Sequence, residues 1–454
     1  MSIVPARHVA LRVLAAVRER EAYVSPVLET EASRAQLSDA DRALANRLSR
    51  GTVETLGTLD ELLDARITRA SAVEPRVRDA LRLAAYELLF MRTPAHAIVH
   101  QAVEAVRAVR PQAAGLANAV LRRLAEDAPT FPWGDPDTDP DALARATGHP
   151  RWMLDMFTRD FGADTAASIL RSHGEPAPLF ARYNPFLCTA EGALAVLRSD
   201  GADPFQAPPD SGSLLLRNET AAVRGRAVAD GLVIVTDAAA QLAPLAIGAH
   251  PGGRILDAGS GRGTKTVMLQ ALAVNAGAPA DIVGLDIHAF KAQLLEQRMA
   301  ALGVPGINAV TADLLDPSTP QLMGELFDAV LLDAPCTGLG TLRRHPEQRW
   351  RVTEPDVLRM SEIQRDLLAS AAALVHPGGL VVYSTCSLAR TENHDVVAAF
   401  LNSEGGREFE ASTLDDVVPA EWGQYLTDEG WFQSIPSANG PDGHFVARLK
   451  KRAQ

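Results

Sequence analysis

Apolar positions recur at two different spacings along this chain, and the change of period divides it. From residue 5 to 127 the spacing is helical. Val9, Val13, Leu14 and Val17 share one face, as do Val77, Leu81, Leu88 and Met91 with Ala84 and Ala85 between them. Ser38 stands three residues before Asp41 and reads as a helix N-cap. Thr93-Pro94 predicts a break after a helix ending near Arg92, and Gly115 opens a further run from Leu116 to Leu124. Residues 1–128 are expected to form an all-helical domain.

Residues 129–150 carry Pro129, Pro132, Pro136, Pro140 and Pro150 among Asp135, Asp137, Asp139 and Asp141, a composition that predicts a solvated linker without packed elements. Residues 151–236 read as a small α+β subdomain. It has a helix near 152–171, another near 190–199, and short strands at Leu179–Tyr183 and Gly231–Val235. From Asp237 onward the period alternates. Strands at Arg254–Asp257, Ile282–Asp286, Ile307–Val310, Phe327–Leu332 and Gly379–Tyr383 are interleaved with helical runs at 265–275 and 290–302. Such alternation predicts a mostly parallel, doubly wound sheet over 237–454. The fold class is therefore multidomain: an all-α N-terminal domain, a small α+β subdomain and a C-terminal Rossmann-like α/β domain.

Composition changes this picture little. The 454 residues are 47% hydrophobic and 22% charged, as in an ordinary globular protein. Arg7, Arg12, Arg18 and Arg20 interrupt any leader-like run, and no apolar stretch is long enough for a bilayer. Three cysteines make no disulfide framework. The expectation is a cytoplasmic monomer with neither membrane span nor metal centre. The net charge of −12 argues against a nucleic-acid partner only if it is evenly spread. It is not: residues 1–128 hold 18 arginines against 16 acids, and Arg343, Arg344, His345, Arg349 and Arg351 cluster within an acidic half. Phosphate contact needs a local patch, not a total. Lysine is rare, with only Lys265, Lys291, Lys450 and Lys451 present, and Lys265 falls inside a glycine-rich motif.

That motif, Asp257-Ala-Gly-Ser-Gly-Arg-Gly-Thr-Lys265, follows one strand and opens a helix. Glycines allow a sharp turn and close approach of backbone to a ligand. Asp286 ends the next strand, where a carboxylate can accept ribose hydroxyls, and Asp313 follows the third. A dinucleotide site would want glycine where Thr264 stands. S-adenosylmethionine (SAM) has no pyrophosphate and tolerates the change, so a SAM methyltransferase fits better than a dehydrogenase. Two further strands lead into Asp333-Ala-Pro-Cys336 and Ser384-Thr-Cys386. Their thiols should meet at the carboxyl edge of the sheet. A thiolate added to carbon 6 of a pyrimidine turns carbon 5 into a nucleophile, and a carboxylate with a second thiol completes that inventory.

These residues, with Asp237-Ala-Ala-Ala-Gln241, Arg343-Arg-His-Pro-Glu347, Gln433-Ser-Ile-Pro436 and Asp442-Gly-His-Phe-Val446, resemble the Nop/Sun family of RNA cytosine-C5 methyltransferases. Arg92-Thr-Pro-Ala-His96 and Gly115–Arg123 resemble a NusB-type RNA-binding domain. The resemblance implies that Cys386 attacks carbon 6, that Cys336 assists product release, and that Asp333 faces both cytosine and SAM. Lys265 would reach the same site. SAM contacts would fall on Gly259, Ser260, Gly261, Arg262, Gly263, Thr264, Lys265, Asp286, Asp313 and Asp333. The family's loop usually reads Cys-Ala-Ala-Pro-Gly-Gly-Lys; here Arg262 replaces the proline and Thr264 the second glycine.

The implied activity is 5-methylcytosine formation in 16S rRNA. Two alternatives stand beside it: the same chemistry on tRNA, or a non-catalytic RNA-binding, ribosome-assembly or antitermination factor. Arg343, Arg344, His345, Arg349 and Arg351 are expected to contact RNA phosphate, and Arg122 and Arg123 to contact RNA or another domain. Cys188 reads as a buried small side chain, and His96 and His100 as one face of a helix, not a metal pair.

Overall fold

The computed structural model describes residues 4–208 and 211–453, which divide into two units: Met1–Glu175 with Leu342–Glu354, and Pro176–Thr341 with Pro355–Gln454.

The first unit is helical. Its core elements are α1 (Pro5–Arg20), α2 (Val24–Arg34), α3 (Asp39–Glu54), α4 (Leu56–Asp64), α5 (Pro75–Phe90), α6 (Ala95–Val109) and α7 (Ala114–Asp127). Their inward faces are those expected, with Val9, Val13 and Leu14 of α1 packed with Val77, Leu81, Ala84 and Ala85 of α5. Pro5 and Pro75 open α1 and α5, where a missing N–H costs nothing. Ser38 caps α3, its hydroxyl accepting from the Asp41 N–H at 3.2 Å. Two acids on α5 are buried and therefore need partners. Arg7 meets Glu87 (Nε–Oε1, 2.9 Å), and Arg18 meets Asp79 (Nη2–Oδ2, 2.9 Å).

The segment 129–150 differs from the expected linker. Phe131 and Trp133 pack on the helical core, with Phe131 edge-on to Phe90 at 5.1 Å. Helix α8 (Pro140–Thr147) forms because Asp139 accepts the Asp141 N–H at 2.8 Å and Pro140 suits the first turn. A Pro/Asp-rich stretch is a good helix start when apolar residues follow, and here Ala142, Leu143 and Ala144 are buried. Helices α9 (Arg151–Phe161) and α10 (Ala163–Ser172) also belong to this unit. They were expected to join the small sheet instead.

The second unit holds two sheets. Strands β1 (Phe180–Tyr183), β2 (Asp203–Gln206), β3 (Leu214–Arg217) and β4 (Val233–Val235) make an antiparallel sheet in the order β2-β3-β1-β4. The larger sheet contains β5 (Arg254–Ala258), β6 (Asp281–Asp286), β7 (Ile307–Thr311), β8 (Phe327–Asp333), β9 (Val375–Thr385), β10 (Phe409–Ser412), β11 (Phe432–Gln433) and β12 (Phe445–Lys451). Its order is β10-β12-β9-β8-β5-β6-β7, with β11 beside β12. The run β9-β8-β5-β6-β7 is parallel, and β12 returns antiparallel to β9. Leu256, Val283, Val330, Val381 and Ala447 face one core, while Ile255, Ile282, Ala329, Leu331, Val382 and Val446 face the other. Burial on both faces explains why these strands read as unbroken apolar runs.

Candidate functional site

The chain reverses its strand order at β5, which has β6 on one side and β8 on the other. A crevice beyond the carboxyl ends of such strands is where open α/β sheets bind ligands. Register fixes what meets there: Asp257 of β5 lies opposite Leu331 of β8, and Asp333 of β8 lies opposite Ser384 of β9.

After β5 the loop turns back through residues that only glycine tolerates. Gly259 has φ +83°, and a Cβ there would lie 2.6 Å from the Asp333 carbonyl oxygen. Gly263 has φ +76°, and a Cβ would lie 2.4 Å from a Leu295 methyl. The N–H groups of Gly259 and Ser260 donate to the Leu285 carbonyl at 2.9 and 3.0 Å, tying the loop to β6. Thr264 is the first residue of the helix Thr264–Asn275, where a side chain is no obstacle. The unusual loop spelling therefore places glycine at the two crowded positions and leaves Arg262 exposed.

Three carboxylates line this edge in different states. Asp257 is fully buried; its Oδ2 accepts from Thr266 Oγ1 at 2.5 Å, while Oδ1 has no partner. Burial pushes its carboxyl up to about 6, against the opposing Thr266 hydrogen bond. Asp286 is also buried, accepting the His288 N–H at 3.0 Å and pairing with Lys291 Nζ at 3.2 Å. Asp313 is exposed and accepts the Leu315 N–H at 2.9 Å in the turn after β7.

Beside this edge Lys265 Nζ donates to Asp333 Oδ2 at 2.7 Å. Burial alone would lower the Lys265 pKa, but the charge and hydrogen bond of Asp333 outweigh it, so the ammonium is held. His444 of the returning β11–β12 hairpin is buried nearby, with Nε2 at 2.9 Å from Ser384 Oγ. Burial, reinforced by Lys265, drives it down to about 3, so its imidazole is neutral.

The two thiols meet as expected. Cys336 Sγ lies 3.3 Å from Cys386 Sγ, and both residues are half-buried. The bond to Cys386, then burial, then the charges of Cys386 and Glu392 raise the Cys336 thiol well above its ordinary range. These influences favour the protonated form of Cys336, and at this separation either sulfur can be the donor. Backbone bonds brace the pair: Ala334 N–H donates to Ser384 O, and Gly340 N–H to Cys386 O, both at 2.9 Å.

Several residues at this site carried no signal that singled them out in the sequence. Glu392 and Asn393 stand six and seven residues beyond Cys386, where a polar pair before an apolar helix reads as a cap. Glu392 instead is completely buried beneath both cysteine loops. Asn393 accepts from Thr385 Oγ1 at 2.6 Å and donates to Ser387 O at 2.9 Å. His444 lies in Asp442-Gly-His-Phe-Val446, where the sequence does not distinguish its imidazole from that of any buried histidine.

The expected RNA cluster is placed differently. Leu342–Glu354 belongs to the helical unit, and there Arg343 and Arg349 are 0% and 1% exposed. Arg349 donates to His173 O at 2.7 Å and Thr147 O at 3.0 Å; Arg351 donates to Ala22 O at 2.9 Å. Guanidinium groups spent on buried carbonyls are not presented to phosphate, so Arg349 is a structural anchor and not a solvated contact. Arg122 and Arg123 are exposed on α7. Cys188 is half-buried, with its Sγ 3.4 Å from Leu232 O. Among the described residues no acid, histidine or cysteine cluster could hold a metal, and no helix is long and apolar enough to cross a membrane.

The family model described as 16S rRNA methyltransferase RsmB/F matches residues 244–450, and the NusB family model matches residues 4–126. The Bacillus subtilis protein named probable ribosomal RNA small subunit methyltransferase B is 30% identical over 98% of both chains. The chain belongs to the RsmB/F family. Ribosomal RNA small subunit methyltransferase B of Salmonella agona is likewise 30% identical, over 92% of each chain. The solved structure of PH0851 covers 99% of this chain and 100% of its own, with TM-score 0.82 at 23% identity, a likeness of fold. As an RsmB/F member the chain is an rRNA methyltransferase, with an N-terminal helical NusB domain and a Rossmann-like methyltransferase fold.

Proposed function

We propose that the chain transfers the methyl group of SAM to carbon 5 of a cytosine in 16S rRNA through a covalent bond to Cys386. The observation that carries this reading is the thiol pair, 3.3 Å apart, at the same sheet edge as the Lys265–Asp333 ion pair. SAM supplies the electrophilic methyl group. The residues fit that cofactor on two counts: the Gly259 turn leaves no room for a side chain beside Asp333, and Asp257 keeps an unpartnered buried oxygen behind the loop. The loop Gly259–Lys265 with Asp286, Asp313 and Asp333 would hold it.

In the substrate step the Cys386 thiolate bonds to carbon 6, and the electrons of the 5,6 double bond become available at carbon 5. Asp333, steadied by Lys265, is suited to hold the amino and N3 edge of the ring. Once carbon 5 is methylated, its proton leaves to a base, the double bond re-forms and the sulfur–carbon bond breaks. Cys336, whose proton is retained beside that sulfur, assists the departure. A thiolate reaches carbon 6 only from the ring face, so the cytosine must be unstacked from its neighbours. Bisulfite sequencing of RNA from a strain lacking this chain should show loss of one 5-methylcytosine in 16S rRNA, restored by the parent chain and not by Cys386→Ala. Restoration by Cys386→Ala would overturn the covalent reading, and loss of a tRNA mark instead would overturn the substrate.

A further inference from the structure

The carboxylate of Glu392 receives more hydrogen bonds than any other side chain around the thiols, yet it touches neither sulfur. Its Oε1 accepts the Thr337 N–H at 2.8 Å and Gln364 Nε2 at 3.0 Å; its Oε2 accepts the hydroxyls of Thr337 and Ser387. Its backbone carbonyl accepts the Tyr383 hydroxyl at 2.6 Å. Thr337 directly follows Cys336, and Ser387 directly follows Cys386. We propose that Glu392 is a positioning residue for methyl transfer, tying the Cys336 loop to the Cys386 loop and so setting the distance between the two sulfurs.

The physical reason lies in what else joins the loops. β8 and β9 are bonded in register through Asp333 and Ser384, but both cysteines lie past the last paired residues. Beyond them the loops meet through the Gly340 N–H bond to Cys386 O at 2.9 Å and through the Thr337 and Ser387 hydroxyls at 3.3 Å. The Glu392 carboxylate accepts from both of those hydroxyls and from the Thr337 N–H, so it holds the residue after each cysteine on one acceptor. Gln364, on the helix Glu354–Ala373, holds the carboxylate from the far side and also donates to Pro335 O at 2.8 Å, so the Cys336 loop is gripped on both flanks. A buried carboxylate needs such company: burial raises its pKa, and the Ser387, Thr337 and Gln364 bonds oppose that rise. Its charge in turn helps keep the proton on Cys336.

This inference rests on the thiol pair carrying the reaction, and the experiment separates the two. In the full chain with Cys188→Ser, diamide takes two electrons and two protons from Cys336 and Cys386, giving a disulfide and a hydrazine. The rate reports the distance between the sulfurs without RNA or SAM. Glu392→Ala should slow closure at least about tenfold, and Glu392→Gln, which keeps one acceptor oxygen and the volume, should stay within about threefold of the parent. With RNA and SAM, Glu392→Ala should lower kcat at least about tenfold while KM for RNA and SAM affinity stay within about threefold, and Glu392→Gln should recover most of kcat. Parental closure and parental kcat in Glu392→Ala would overturn the proposal, as would an equal loss in Glu392→Gln. Should Glu392→Ala not fold, Thr337→Val with Ser387→Ala removes the side-chain links while leaving the carboxylate, and parental closure there overturns it equally. Failure of the covalent reading would appear separately, as methylation retained by Cys386→Ala.

Discussion

Two polar clusters stand out in this sequence, the cysteine motifs at the edge of the large sheet and the arginines of 343–351, and the structure uses them in opposite ways. At the sheet edge polar groups face one another: thiol to thiol, Lys265 to Asp333, a neutral His444 to Ser384. The thiols, Lys265, Asp333 and His444 are all titratable, and they remain half-open to solvent or held in shifted states. In the helical unit Arg349 and Arg351 meet main-chain carbonyls, which carry no chemistry, and Arg349 is closed off from water. The lesson is that a charged cluster is a site when its partners can react, and a brace when its partners are backbone.

The sharpest way to break this comparison is to delete one member from each cluster and measure turnover. Cys386→Ala should remove methyl transfer by more than about a thousandfold, whereas Arg349→Met should leave turnover of the folded protein within about twofold. Comparable losses in both would erase the distinction. Stability should show the reverse order. Arg349→Met strands the carbonyls of Thr147 and His173 and should cost about 2–4 kcal/mol in denaturant unfolding, against less than about 1 kcal/mol for Cys386→Ala. An unchanged midpoint for Arg349→Met would mean that the segment braces nothing.

Acid should separate the two units further. His149 and His173 share a buried bond of 3.1 Å in the helical unit, and burial, helped by Arg349, lowers both well below 6.5. Below about pH 6.5 the unfolded chain takes up their protons and the fold does not, so stability falls by about 1.4 kcal/mol per pH unit for each histidine. Glu347, raised by burial, offsets a part of this at lower pH. In the other unit His444 contributes the same loss, but Asp257, raised to about 6, binds its proton earlier in the folded state and offsets it, as does Glu392. Hydrogen exchange read peptide by peptide between pH 7.5 and 5 should therefore show protection falling faster in the helical unit. Equal slopes would contradict the buried neutral pair. The smallest effect belongs to Arg122 and Arg123: replacing both with alanine should weaken RNA binding only a few-fold and flatten its salt dependence by about one to two counterions. An unchanged salt slope would remove them from the RNA surface.

The alternating strands were legible because β5, β6, β8 and β9 are buried on both faces, which leaves unbroken apolar runs ending in Asp257, Asp286, Asp333 and Ser384. The thiol pair was legible for the same reason, since its position follows from strand ends. Residues 129–150 were not, because proline and aspartate spell both a linker and a helix start, and only the burial of Ala142, Leu143 and Phe131's packing decide between them. The arginine segment misled because a sequence shows charge but not the carbonyls that consume it. Glu392 was hidden because its partners, Thr337, Gln364 and Ser387, come from three separate elements that only the fold brings together.

The most direct test of the unequal thiol roles is a denaturing gel of Cys336→Ala incubated with SAM and 16S rRNA. A protein–RNA species that survives denaturation should accumulate with Cys336→Ala and vanish when Cys386→Ala is added to it. No such species with Cys336→Ala, or one that persists in the double variant, would contradict attack by Cys386 and release by Cys336.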